Sequence, residues 1–127
     1  MSENELKTFS EVDFENVVAL VATVTEEMNE VIIAGGRYIV LDETETLRSA
    51  ELAFTVEEDY HGQGIASILL KHLTHIGRYK GLARFEAEVF SENKAMLKVF
   101  SRSGLPMKKK EQGGVTHVTL GLNEDTT

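Results

Sequence analysis

The stretch that most limits what this chain can become is residues 50–81, AELAFTVEEDYHGQGIASILLKHLTHIGRYKG. Residues 50–56 are apolar, and Phe54, Thr55 and Val56 add the aromatic and β-branched bulk of a strand. Glu57, Glu58 and Asp59 are too polar to continue a buried strand. Gly62 and Gly64 then allow a sharp turn and a close approach of backbone to a ligand. Directly afterwards Ile65, Leu69, Leu73 and Ile76 recur at helical spacing, so the pattern predicts strand, glycine turn and helix. A helix start offers free N–H groups and the positive end of its dipole, and a glycine loop feeding it can cradle a phosphate. Gly-x-Gly fits a plain tight turn as well. No Gly-Lys-Ser/Thr follows, which excludes a nucleotide P-loop, and the third glycine and later acid of a dinucleotide site are missing.

The rest of the chain arranges itself around that unit. Residues 1–10 are polar and acidic and predict a frayed arm or a short helical turn. Residues 17–24 (VVALVATV) and 31–41 (VIIAGGRYIVL) predict an antiparallel hairpin about the turn signal at 26–30, with Gly35 and Gly36 marking a bulge or bend. The polar run 42–49 predicts a loop. A helix over 64–80, closed by Gly81, leads to an alternating strand over 84–90, and strand, helix, strand predicts a right-handed parallel crossover. Ser91 or Asn93 can cap a helix reaching Ser103, which Gly104 and Pro106 end. Residues 107–111 and 115–122 predict a final hairpin whose Lys108–Lys110 run suits an exposed edge. The expectation is one α/β domain over residues 1–127, with a core at about 12–122 and a mixed, mostly antiparallel sheet.

Two segments carry a family resemblance. HGQGIASILLKHL resembles motif A of the GNAT acyltransferases, Gln/Arg-x-x-Gly-x-Gly/Ala, with His61 at the Gln/Arg position, Gly64 at the central glycine and Ala66 at the Gly/Ala position. NKAMLKVFSRSGL resembles the second signature, Asn-x-x-Ala-x-x-x-Tyr-x-x-x-Gly-Phe: Asn93 and Gly104 match, whereas Met96, Phe100 and Leu105 depart. Within the family the chain is most similar to bacterial protein lysine acetyltransferases that act on acyl-CoA synthetases. They share AE-x-AFTV before the loop, Ala-Leu-Val-Ala in an early strand, Asn-x-x-Met in the later helix and the pair Arg37-Tyr38. The resemblance implies a GNAT-like domain truncated at its N-terminus, because a strand and one or two helices that help form the acceptor site would precede Val17. A partner subunit in a homodimer would then supply what is missing, or a large acceptor would lie across an open surface.

The resemblance also implies roles. Acetyl-CoA is the acyl donor, and an amine, most of all a protein lysine, is the acceptor. Backbone N–H groups of Gln63, Gly64, Ile65 and Ala66 hold the pyrophosphate, with Gly62 shaping the loop and Ser67 adding a hydroxyl. The backbone of Phe54, Thr55 and Val56 pairs with the pantetheine arm, and Asn93 touches that arm from the other side. His61 stands where another residue usually helps the loop. Glu51 is the expected base, since an amine arrives as ammonium and a carboxylate can take its proton. Its neighbours Ala50 and Leu52 suggest an apolar setting that makes a carboxylate a stronger base. Phe100 takes the place of the tyrosine that protonates the leaving thiolate in many members; it has no proton to give and is read as packing beside the cofactor. A main-chain amide near Val56 would meet the developing oxyanion.

The same residues leave two other readings open, a small-molecule N-acetyltransferase and a non-catalytic acyl-CoA sensor. Composition narrows the field further. The absence of cysteine removes disulfide and thiolate chemistry and fits a cytoplasmic protein. A net charge of −8 argues against non-specific nucleic-acid binding and suits a cationic acceptor. No apolar run is long enough for a membrane span of about 20 residues. His72 and His75 lie three apart without a matching carboxylate and His117 sits alone, so no metal is expected.

Overall fold

The computed structural model describes residues 7–14, 16–43 and 48–122. Its elements are β1 (Lys7–Phe14), β2 (Val17–Glu26), β3 (Asn29–Glu43), β4 (Arg48–Val56), a short 3-10 turn (Glu58–Tyr60), α1 (Ile65–Tyr79), β5 (Arg84–Phe90), α2 (Lys94–Ser101), β6 (Met107–Gln112) and β7 (Val115–Gly121). The strands form one seven-stranded sheet in the order β1-β2-β3-β4-β5-β7-β6. Only β4 and β5 run parallel, joined by the α1 crossover; the other neighbours are antiparallel. The glycine-loop strand thus occupies the middle of the sheet, as its apolar sequence requires.

The helices follow from their stripes. Ile65, Leu69 and Leu73, with Ala66, Leu70, Thr74 and Gly77 beside them, form the buried face of α1, which packs on β2, β3 and β4. Phe100 of α2 is buried under the same layer, its ring 6.2 Å from that of Phe54. Leu52 of β4 and Phe85, Ala87 and Val89 of β5 are buried, whereas Glu51 and Ala53 are exposed. The alternation of the strands therefore sends one set of side chains towards the core and leaves Glu51, Ala53 and Thr55 on the other face. Among the described residues, no helix is long and apolar enough to cross a membrane.

Three expectations change. Residues 7–10 form the first half of β1, paired to β2 at Lys7↔Thr23 through Ser10↔Leu20; residues 1–6 lie outside the described residues. Thr8, Phe9, Val12 and Phe14 favour a strand, and the charges between them hid it. So a strand does precede Val17; β1 ends at Phe14 and β2 begins at Val17, and among the described residues no helix lies between them. The polar run 42–49 is only partly loop, because β3 extends to Glu43 and β4 begins at Arg48, with 44–47 outside the described residues.

The glycine pair of β3 marks no bulge. Gly35 and Gly36 pair regularly with Val21 and Leu20, and the register slips instead beside Ile33, between Ala22↔Ala34 and Thr23↔Ile32. That slip accounts for three buried residues in succession, Ala22, Thr23 and Val24. Gly36 answers a close approach: a Cβ there would lie 2.7 Å from the Phe54 ring and 3.3 Å from Leu73.

Candidate functional site

The parallel seam is short. β4 and β5 pair only at Ser49↔Arg84, Ala50↔Phe85 and Glu51↔Glu86. Beyond that point β4 stays with β3 as far as Val56↔Ala34, and β5 stays with β7 as far as Phe90↔Val115. The two central strands therefore diverge after Glu51, and Phe54, Thr55 and Val56 lie along the opened edge of β4. Such an edge can accept an extended group through main-chain hydrogen bonds.

At the end of that edge the chain turns into α1. Gly62 and Gly64 have φ of 82° and 80°, a left-handed conformation that favours glycine. Gly64 is the N-cap, no side chain caps the helix, and no acidic residue stands in its first turn. The N–H groups of Ile65, Ala66 and Ser67 are thus first-turn donors at the positive end of a 15-residue helix. A Cβ at Gly62 or Gly64 would meet nothing within 4 Å, so open space lies in front of the loop. Uncapped donors, left-handed glycines and that space fit a pyrophosphate.

Two side chains hold the loop in shape. His61 donates its Nε2–H to the Val56 carbonyl at 2.8 Å, which fixes the ring's tautomer because a carbonyl only accepts. The ring thus ties the loop to the last residue of β4 and spends that donor on the chain itself. Tyr60 donates its hydroxyl to Glu26 at 3.1 Å, a tie to the β2–β3 hairpin that sequence reasoning missed. That hydrogen bond, more than anything else around it, raises the pKa of Tyr60 above 10.0.

Across the gap, Asn93 caps α2, its Oδ1 accepting from the Met96 N–H at 3.1 Å, which leaves its Nδ2 amide as a donor. Phe100 is packing, 1% exposed against Phe54.

Glu51 departs from its expected setting. It is exposed, while Ala50 and Leu52 are buried on the opposite face, so their apolar surface does not enclose the carboxylate. Its neighbour across the seam is Glu86. Glu86 accepts from Arg84 Nε at 3.0 Å and from His117 Nε2 at 3.1 Å, and the other ring nitrogen of His117 lies 3.8 Å from Glu88. His117, isolated in sequence, therefore sits between two carboxylates of β5. The signal was there in the alternation of RFEAEVF, which puts Glu86 and Glu88 on one face. His72 and His75 are exposed on α1, and among the described residues no group of three or more His, Cys, Asp or Glu could hold a metal ion.

Residues 3–105 match the Acetyltransferase (GNAT) family. Acetyltransferase Pat of Mycolicibacterium smegmatis is 38% identical over 84 residues, covering 66% of this chain and 25% of Pat. The GNAT domain of S. lividans PAT has a similar fold, with a TM-score of 0.71 and 33% identity over 87% of this chain and 64% of that one. A cAMP-binding acyltransferase from Mycobacterium smegmatis gives a TM-score of 0.68 at 33% identity, over 91% of this chain and 34% of its own. The chain spans about a quarter of the length of Pat.

Proposed function

Because the chain belongs to the acetyltransferase (GNAT) family, we propose that it transfers the acetyl group of acetyl-CoA to an amine, a protein lysine such as one on an acyl-CoA synthetase. One observation carries the reading: an uncapped helix start with two left-handed glycines stands at the mouth of a gap between two central strands. The N–H groups of Gln63, Gly64, Ile65, Ala66 and Ser67 hold the pyrophosphate. The open edge of Phe54, Thr55 and Val56 aligns the pantetheine arm, and Asn93 meets it from α2. When bound, acetyl-CoA supplies a thioester that an amine can attack.

The remaining chemistry belongs to this chain. Glu51, beside the gap on the open sheet face, takes the proton of the acceptor ammonium. A main-chain N–H near Val56 donates to the carbonyl oxygen as charge grows there. The face that carries Glu51 suits a folded acceptor, since among the described residues no helix lies between β1 and β2 to overhang it. Phe100 favours a second reading, an acyl-CoA sensor without turnover, because a phenyl ring cannot protonate a leaving thiolate.

Glu51→Gln separates the two. It keeps size and hydrogen-bonding shape but cannot take a proton, so turnover of labelled acetyl-CoA with a protein acceptor falls by about 10²–10⁴-fold at neutral pH while CoA affinity barely moves. The residual rate rises with pH as more amine arrives deprotonated. Wild-type turnover in the variant would remove Glu51 from the mechanism; tight binding with no turnover in either protein would favour the sensor.

A further inference from the structure

Of the pair Arg37-Tyr38 in the middle of β3, only the tyrosine serves the core. Gly36 and Tyr38 are buried, so Arg37 between them stands on the opposite face, the one that carries Glu51. Its cross-strand neighbours there are Ala19 of β2 and Ala53 of β4, and Gly35 lies two residues before it. A long cation therefore rises from a floor of small side chains, with room around it for a guest. Arg37 is exposed, and among the described residues its side chain makes no hydrogen bond or ion pair. The same holds for the side chain of Glu51. Arg37 pairs with Ala53 and Ile39 with Glu51, so Arg37 and Glu51 are diagonal neighbours on that face, about 7–8 Å apart. Further across the sheet the sign is negative throughout: Glu86, held by Arg84 and His117, and the exposed Glu88 follow on β5.

We propose that Arg37 reads a carboxylate on the acceptor, an Asp or Glu side chain close to the lysine whose proton Glu51 takes. The inference rests on the acceptor reading above and adds substrate selection to it. A guanidinium holds a carboxylate through two parallel N–H donors, and the small residues around Arg37 let an incoming segment approach it. An acidic residue two places along an extended segment lies about 7 Å from the lysine, and one turn along a helix it lies about 5 Å away. Both match the spacing of the pair. The acceptor lies across the strands with its acid over β3 and its lysine over β4. Turned round, it would set that acid against Glu86 and Glu88, so the face selects an orientation as well as a charge.

Peptides with one central lysine and a single Asp one to four residues to either side, each matched to its Asn twin, test this with labelled acetyl-CoA and the whole chain. The best Asp peptide should exceed its Asn twin about 10-fold in kcat/KM, mostly through KM, as one charge-assisted hydrogen bond supplies. Added salt should shrink that preference. Arg37→Gln should bring the Asp peptide down to the level of its Asn twin. Arg37→Glu should reverse the preference, towards a peptide with Arg in place of the Asp. A purely structural role would move all the peptides together and could not exchange one preference for another. Arg37 is exposed, so both variants should keep the wild-type circular dichroism and CoA affinity. Equal kcat/KM within every Asp–Asn pair for the wild type, or an Asp preference that survives Arg37→Gln, would overturn the assignment. Tight acetyl-CoA binding with transfer to none of the peptides would overturn the acceptor reading itself, and the inference with it.

Discussion

The Tyr38 hydroxyl is fully buried and, among the described residues, has no hydrogen-bond partner. Its ring packs 5.5 Å from that of Phe85, so the residue serves the core through its ring and bears an unanswered polar atom. Tyr38→Phe should therefore stabilise the fold by about 1 kcal/mol in urea titrations. Burial raises the Tyr38 pKa above 10.0, with the Arg48 guanidinium pulling the other way. The folded state thus holds this proton more tightly than the unfolded chain. The contribution is intact below pH 10.0 and is lost as the pH rises towards the folded value, so wild-type stability should fall more steeply than that of Tyr38→Phe on the alkaline side. At the glycine loop the test is conformational. Gly64→Val forces a β-branched residue to φ of 80° and fills the space before the first-turn donors, so CoA binding should vanish in calorimetry while the circular dichroism stays native. Sequence was a good guide where a residue's conformation is local, as at Gly64, which turns with a positive φ, and at Asn93, whose capping is written in its own neighbourhood. It misjudged the setting of Glu51, because neighbours along a strand lie on opposite faces, and it missed the bond between Glu86 and His117, which stand 31 residues apart.

Among the elements, the junction of β3, β4 and α1 is the tightest. The Phe54 ring lies over Gly36 and beside Leu73, and it reaches Phe100 of α2. Gly36→Ala would place a methyl 2.7 Å from ring atoms, and repositioning Phe54 should cost about 1–3 kcal/mol in chemical denaturation. Phe54→Leu in the same chain should recover part of that loss, since the two positions share one contact. The elements themselves were legible wherever periodicity was strong: α1 and β5 fall at or within a residue of their predicted limits. β1 was not legible, because an edge strand built of mixed charge and β-branched residues has no periodicity to separate it from an arm. The Gly35-Gly36 pair was noticed but misread, since a glycine demanded by a ring on the next strand looks in sequence like a glycine demanded by a bend.

At the scale of the whole molecule, the placing of β7 between β5 and β6 was not legible, whereas the crossover from β4 through α1 to β5 followed from element order. How far the two strands stay together did not follow, since divergence depends on which outer neighbour each strand keeps. Amide hydrogen exchange should report it. Amides of residues 54–56 without a ladder partner should exchange quickly in the free protein and slow when CoA is added, while those of β3 and β7 stay protected throughout. The three-pair seam also makes the sheet two leaves bound at one corner, four strands on one side and three on the other. A guest lying in the opening would bind the leaves together along their free length, so cargo and rigidity become one variable. The protein would then be stiffest while loaded and would loosen as it is spent, so that emptying itself re-opens the way for the next load.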